Sequence, residues 1–184
     1  MELSYDRIAN SYVTHVLVAI NAGDRAAPFR DFMDNWYAFN NGEANLLTSG
    51  SRPRWFNNPD AVKFGNALNA MHFKSVAADK ILKLARDDPE KYHIRRKEKD
   101  PLIRLMVDHS VPLLHIRDRL LFNPKAQHTE ETVRSILCRW YRLGVITADE
   151  DHRLNGKGLQ SRMPDSWDEN DVFARYHEVE IAPA

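Results

Sequence analysis

Apolar residues in this chain recur three or four positions apart over long stretches, which is the spacing of one helix face. The first such stretch covers residues 4 to 21, and the residues Asn21-Ala22-Gly23 after it favour a stop. Its apolar members are Tyr5, Ile8, Tyr12, Val13, Val16, Leu17 and Ile20. The alternation that is typical of strands is almost absent. The sequence therefore predicts a mainly α fold, a compact multi-helix domain with at most a small β element.

Further helices follow from the same periodicity and from the turn residues between the segments. We predict helices at residues 24–39, 59–86, 112–121, 129–143, 147–155 and 171–176, with short strands at 145–147 and 178–181. The apolar pattern of the long segment slips in phase at 72–75, which indicates a break there. Two helix starts are also marked by capping residues. Thr129 precedes two acidic residues in a first turn, and Thr147 with Glu150 forms a capping box.

Charge and cysteine content limit the classes of protein to which the chain can belong. Its 184 residues include 26 basic and 26 acidic side chains, so any nucleic acid would have to bind a local basic patch. Cys138 is the only cysteine, which excludes an internal disulfide and a cysteine-based zinc site. The chain shows neither a signal-peptide pattern nor an apolar run long enough to span a bilayer. We expect a cytoplasmic protein with no membrane partner.

The length suits one typical domain or two small ones. Residues 91–104 carry six basic and two acidic side chains, the strongest local charge bias in the chain. We predict an N-terminal helical unit at 1–88 and a C-terminal helical unit at 89–184, packed together as one globular domain.

The order of elements in residues 112–146 is helix, turn, helix and short apolar strand. This order resembles the helical part of helix-turn-helix proteins, in which one helix enters the major groove of DNA. The resemblance implies that this segment and the basic stretch 91–104 bind nucleic acid. The expected binding residues are Arg95, Arg96, Lys97, Arg117, Arg119, Lys125 and Arg134, with Arg139 and Arg142 as further phosphate contacts.

A second motif lies just before this segment. The residues Asp108-His109-Ser110-Val111-Pro112 resemble the central motif of the HNH nuclease family. The resemblance implies a metal-dependent nuclease, in which His109 is the catalytic base and Asp108 is a ligand of a divalent metal.

Helix-entry chemistry is the competing interpretation of the same five residues. Asp108 and Ser110 can cap a helix that begins near Pro112, because proline is favoured at the first helical position. On this interpretation His109 packs locally and no cofactor is needed.

We predict a binding protein rather than an enzyme, with nucleic acid as the first candidate partner. The metal-dependent nuclease is one alternative. A protein-interaction or antitoxin-like component, which could act as a homodimer, is the other.

Overall fold

The helices of this protein account for most of its regular structure, which confirms the mainly α class. A computed structural model describes residues 5–40, 71–87, 100–122 and 128–184. Its helices are α1 (Tyr5–Asn21), α2 (Phe29–Asn40), α3 (Val76–Asp87), α4 (Leu113–Leu121), α5 (Glu130–Trp140), α6 (Ala148–Gly156) and α7 (Ala174–Glu178). Its strands are β1 (Phe73–Lys74), β2 (Leu105–His109) and β3 (Leu143–Thr147).

The described residues divide into two compact units, each built from separate stretches of the chain. The first unit contains residues 5–40, 113–122 and 128–141, and the second contains 71–87, 100–112 and 142–184. The predicted boundary between residues 88 and 89 lies outside the described residues.

The first unit is made of α1, α2, α4 and α5, and its core is rich in aromatic side chains. The Tyr141 ring stacks on the Tyr37 ring at 5.0 Å between centroids and meets the Trp36 ring edge-on at 5.8 Å. The Tyr141 hydroxyl donates a hydrogen bond of 2.6 Å to the buried Asp34 carboxylate. Burial, followed by the nearby Asp34 charge, raises the pKa of Tyr141 well above its usual range, so the hydroxyl keeps its proton and serves as a donor.

The second unit contains a three-stranded sheet in the order β1-β3-β2. β1 is parallel to β3, and β2 is antiparallel to β3 with Leu105 opposite Thr147 and His109 opposite Leu143. The sheet packs with α6 and the C-terminal residues around one apolar cluster. This cluster comprises Phe73, Ile146, Leu154, Leu159, Tyr176, Val179 and Ile181.

Most helix predictions are confirmed in position, together with their caps. The α1 helix ends at Asn21, and Gly23 just after it has a φ of 64°, which lets the Asp24 N–H donate to the Ala19 carbonyl. Thr129 caps α5 by accepting the Thr132 N–H, and both hydrogen bonds of the Thr147–Glu150 capping box are present at α6.

Several element boundaries differ from the predictions. The α2 helix begins at Phe29 rather than residue 24, because the Asp24 side chain holds a turn by accepting the Ala26 N–H at 2.9 Å, and Pro28 then precedes the helix. The expected break at 72–75 is present as strand β1. Residues 178–181 are not a strand, since Glu178 ends α7. Strand β2 was not predicted at all. Residues 59–70 lie outside the described part.

Within the described part of the chain, no helix combines the length and the apolar character needed to cross a membrane.

Candidate functional site

Asp108 lies on β2 and is held by two residues of the C-terminal segment. Its Oδ2 atom accepts hydrogen bonds from Arg175 Nη2 and, at 3.0 Å, from the Tyr176 hydroxyl. The Arg175 side chain is 1% exposed and the Asp108 side chain 21%. The charge of the Asp108 carboxylate is therefore compensated by the buried Arg175 guanidinium, and the carboxylate has limited access to water.

The same guanidinium group also donates to four backbone carbonyls. Arg175 Nε donates to the Ser110 carbonyl at 2.9 Å and Nη2 to the His109 carbonyl at 2.6 Å. Its Nη1 atom donates to the carbonyls of Leu159 at 2.5 Å and Gln160 at 3.4 Å. Five N–H donors in a rigid fork suit such a set of acceptors, because a buried charge is tolerated when its donors are satisfied. Arg175 thus joins the end of β2 to the segment after α6.

The Tyr176 side chain passes over β3 at Gly144 to reach Asp108 on β2. Gly144 is the register partner of Asp108 in the antiparallel pair. A Cβ atom on Gly144 would lie 2.7 Å from the Tyr176 hydroxyl oxygen, which is closer than packed atoms approach. The lack of a side chain at Gly144 therefore lets the phenol lie over the strand. In the sequence this glycine looked like the end of the preceding helix, but α5 ends at Trp140.

These contacts correct one expectation about the motif at residues 108–112. Asp108 does not cap α4, because α4 begins at Leu113 and the Asp108 carboxylate is engaged by Arg175 and Tyr176. The Ser110 hydroxyl lies 3.4 Å from the Arg142 carbonyl, to which it donates. His109 is half-buried at the end of β2.

A second carboxylate lies near Asp108. Burial, and next the Asp108 charge, raise the pKa of Asp151 on α6, while a hydrogen bond of 3.2 Å from Asn155 Nδ2 acts in the opposite direction. Among the described residues no group of three or more His, Cys, Asp or Glu side chains could hold a metal ion. Asp108 as a metal ligand and His109 as a catalytic base remain predictions.

The predicted nucleic-acid-binding residues that the structure describes lie on two helices of the first unit. Arg117 on α4 pairs with its neighbour Asp118 at 2.6 Å. Arg134 on α5 donates to Asn10 Oδ1 on α1 at 2.7 Å. Arg119 on α4 is exposed. The remaining predicted residues, Arg95, Arg96, Lys97 and Lys125, lie outside the described residues.

The start of α5 has an acidic residue whose contact bears on nucleic-acid binding. Glu130 accepts a hydrogen bond of 2.5 Å from the Thr14 hydroxyl on α1. Its carboxylate is thus engaged within the unit, while Glu131 is exposed. Farther along α5, the exposed Arg139 lies with its guanidinium carbon 5.7 Å from the centre of the Trp140 ring.

Comparisons of this chain with protein-family models, with curated proteins and with solved structures found no match. Function therefore has to be argued from the chain's own residues.

Arg175, Tyr176 and Gly144 are the members of the Asp108 cluster that sequence reasoning missed. No local signal links them to Asp108, because Arg175 and Asp108 are 67 positions apart and neither belongs to a recognisable spacing motif.

Proposed function

We propose that this protein is a non-enzymatic binding protein that binds nucleic acid through α4, α5 and the basic stretch 91–104. The observation that carries the proposal is that α4 and α5, consecutive helices of one unit, present the exposed arginines Arg119 and Arg139. Arginine side chains on helices are the usual donors to phosphate oxygens.

The contacts of the acidic residues support this choice. Asp118 on α4 is paired with Arg117, so its negative charge is compensated by a neighbouring cation. Glu130 at the start of α5 accepts a hydrogen bond from the Thr14 hydroxyl, a neutral donor that fixes the carboxylate in place without compensating a charge.

Exposure ranks the predicted residues that the structure describes. Arg117 and Arg134 are half-buried, with contacts to Asp118 and Asn10, whereas the Arg119 side chain is exposed on the surface of α4. We therefore choose Arg119 for the first test. The basic stretch 91–104 is the other segment that the proposal names.

Charge reversal at Arg119 tests the proposal. We expect Arg119→Glu to weaken binding to a mixed-sequence DNA duplex and to reduce the slope of log K against log salt by about 1, because one phosphate contact releases about one counterion. Fluorescence anisotropy at several salt concentrations measures both quantities. The same experiment with Arg95→Glu and Arg96→Glu combined tests the basic stretch.

The control is Arg162→Glu in the second unit, which changes the charge equally at a residue 59% exposed. Equal losses for Arg162→Glu and Arg119→Glu would show a response to net charge alone and would exclude the assignment. Absence of binding at low salt both to the duplex and to a single-stranded RNA of the same sequence would exclude nucleic acid and leave the protein-interaction alternative.

The nuclease alternative finds no favouring observation in the geometry of Asp108. Arg175 Nη2 and the Tyr176 hydroxyl both donate to Oδ2 of Asp108, so the contacts described for this carboxylate are with residues of the second unit.

A further inference from the structure

A cavity of about 430 Å³ lies among the residues that follow α6 in the second unit. It is independent of the helices proposed to bind nucleic acid. Its walls combine an aromatic ring with acidic side chains. The lining residues are Pro164, Ser166, Trp167, Asp168, Asp171, Ala174, His177 and Glu178.

The Trp167 ring is oriented by a hydrogen bond of 2.7 Å from its indole Nε1 to the Asp171 carbonyl. The backbone of Trp167 is held separately, because its N–H donates to the Pro164 carbonyl at 3.0 Å. The ring is therefore a preorganised wall, and a ligand that contacts it does not have to order a mobile side chain.

The charge of the lining is negative. Asp168, Asp171 and Glu178 are acidic, and the described lining residues include no lysine or arginine. Asp171 is partly compensated, because its Oδ2 atom lies 2.7 Å from His177 Nδ1. Glu178 also lines a neighbouring hollow that contains Lys157 and Arg162. Among the acidic lining residues, Asp168 has neither a histidine contact like that of Asp171 nor a place in the neighbouring hollow with Lys157 and Arg162.

Asp168 is held as an ionised acceptor. Its Oδ1 atom accepts the Asn170 N–H at 2.9 Å and the Asp171 N–H at 3.4 Å, and its Oδ2 atom accepts a hydrogen bond of 3.3 Å from Asn170 Nδ2. These hydrogen bonds, with the Asn170 bonds the largest, lower the pKa of Asp168 below its usual value. The carboxylate thus stays charged throughout the neutral pH range.

We propose that this cavity binds a guanidinium group, which stacks on Trp167 and pairs with Asp168. A planar guanidinium can stack on an aromatic ring and offer parallel N–H donors to a carboxylate, whereas an ammonium group is a compact point charge. The cavity volume is in the range of small-ligand sites. The group can come from a free arginine-like molecule or from an arginine side chain of a peptide.

The test uses the whole protein and two capped amino acids of the same shape. N-acetyl-arginine amide carries the guanidinium group, and N-acetyl-citrulline amide replaces it with a neutral urea. We expect saturable shifts of the Trp167 indole N–H signal in NMR titrations with the arginine compound and none with the citrulline compound. A Gly-Gly-Arg-Gly-Gly peptide identifies the source: tighter binding than the capped amino acid indicates a peptide ligand, and equal binding a free one.

Two variants and one matched control test the named residues. Isothermal titration calorimetry measures the variants, because Trp167→Leu removes the indole signal. We expect Asp168→Asn to weaken arginine-amide binding about threefold, since an exposed ion pair contributes modestly, and Trp167→Leu to weaken it about fivefold. The control Asp165→Asn removes the same charge from a side chain 93% exposed and outside the cavity lining. Equal binding of both capped amino acids, equal effects of Asp165→Asn and Asp168→Asn, or no saturation would each overturn the proposal.

Discussion

Arg175 is a single residue that satisfies several acceptors at once. Its guanidinium group donates to three backbone carbonyls at 2.5 to 2.9 Å and also to the Asp108 carboxylate. Buried ion pairs are not in themselves strongly stabilising, but removing one partner leaves a charge and several carbonyls without compensation. We therefore expect that replacing Arg175 lowers the free energy of unfolding substantially.

We predict that Arg175→Met lowers the free energy of unfolding by about 3 kcal/mol. Methionine keeps much of the apolar volume but leaves Asp108 with the Tyr176 hydroxyl alone. Urea denaturation followed by circular dichroism measures the change.

Arg162→Met is the matched control, because Arg162 is exposed and its partner Asp165 is 93% exposed. We expect this control to change stability by less than about 0.5 kcal/mol. A loss below about 1 kcal/mol for Arg175→Met would contradict the role assigned to Arg175.

At the scale of elements, β3 and α7 approach each other at Gly144. The Tyr176 phenol occupies the space where a side chain at Gly144 would begin, with its hydroxyl oxygen 2.7 Å from the ideal Cβ position. The approach allows the same hydroxyl to reach Asp108 on the neighbouring strand. Gly144 thus has two roles: it pairs with β2 in the sheet, and its lack of a side chain leaves room for Tyr176 of α7 to pack against β3.

We predict that Gly144→Ala costs about 1–3 kcal/mol, because the inserted methyl group must displace a fully buried ring. The loss should be smaller when measured in a Tyr176→Phe background, where the closest atom is gone. Thermal unfolding of the four proteins of this double-mutant cycle gives the interaction energy.

Gly156→Ala serves as the comparison, since a Cβ there has no atom within 4 Å. It should leave stability unchanged or raise it slightly at the end of α6. Equal destabilisation by both glycine substitutions would contradict the Tyr176 contact as the cause, because the backbone-entropy effect of Gly→Ala is by itself stabilising.

At the scale of the whole molecule, the second unit needs residues that lie before the predicted boundary at 88/89. Strand β1 pairs with β3 through Phe73 and Lys74. Ser75 donates to the buried Glu150 at 2.6 Å and also caps α3 by accepting the Ala78 N–H. A chain that begins at residue 89 lacks the β1–β3 pairing and the hydrogen bond from Ser75 to Glu150.

We therefore predict that a fragment of residues 89–184 fails to unfold cooperatively, whereas a fragment of residues 71–184 protects the backbone amides of β3 from hydrogen exchange. Both fragments lack α1 and α2, so they differ only in the contribution of residues 71–88. Equal protection of β3 in the two fragments would support a boundary at 88/89 instead.

Local patterns in the sequence determined the helices and their caps. The spacing of apolar residues placed α1, α4 and α6, and the Thr147–Glu150 capping box was predicted as it occurs. Such features depend on residues within about four positions of each other, and their hydrogen bonds form within one turn.

Tertiary structure alone decided the small sheet and the partners of Asp108. Strand β2 exists because β3 pairs with it, and its short apolar run had no period that marks a strand by itself. The sequence around Asp108 suggested a helix cap, but folding brings Arg175, 67 positions away, against its carboxylate. Contacts over such a separation depend on the tertiary structure, because no residue near Asp108 in the sequence specifies them.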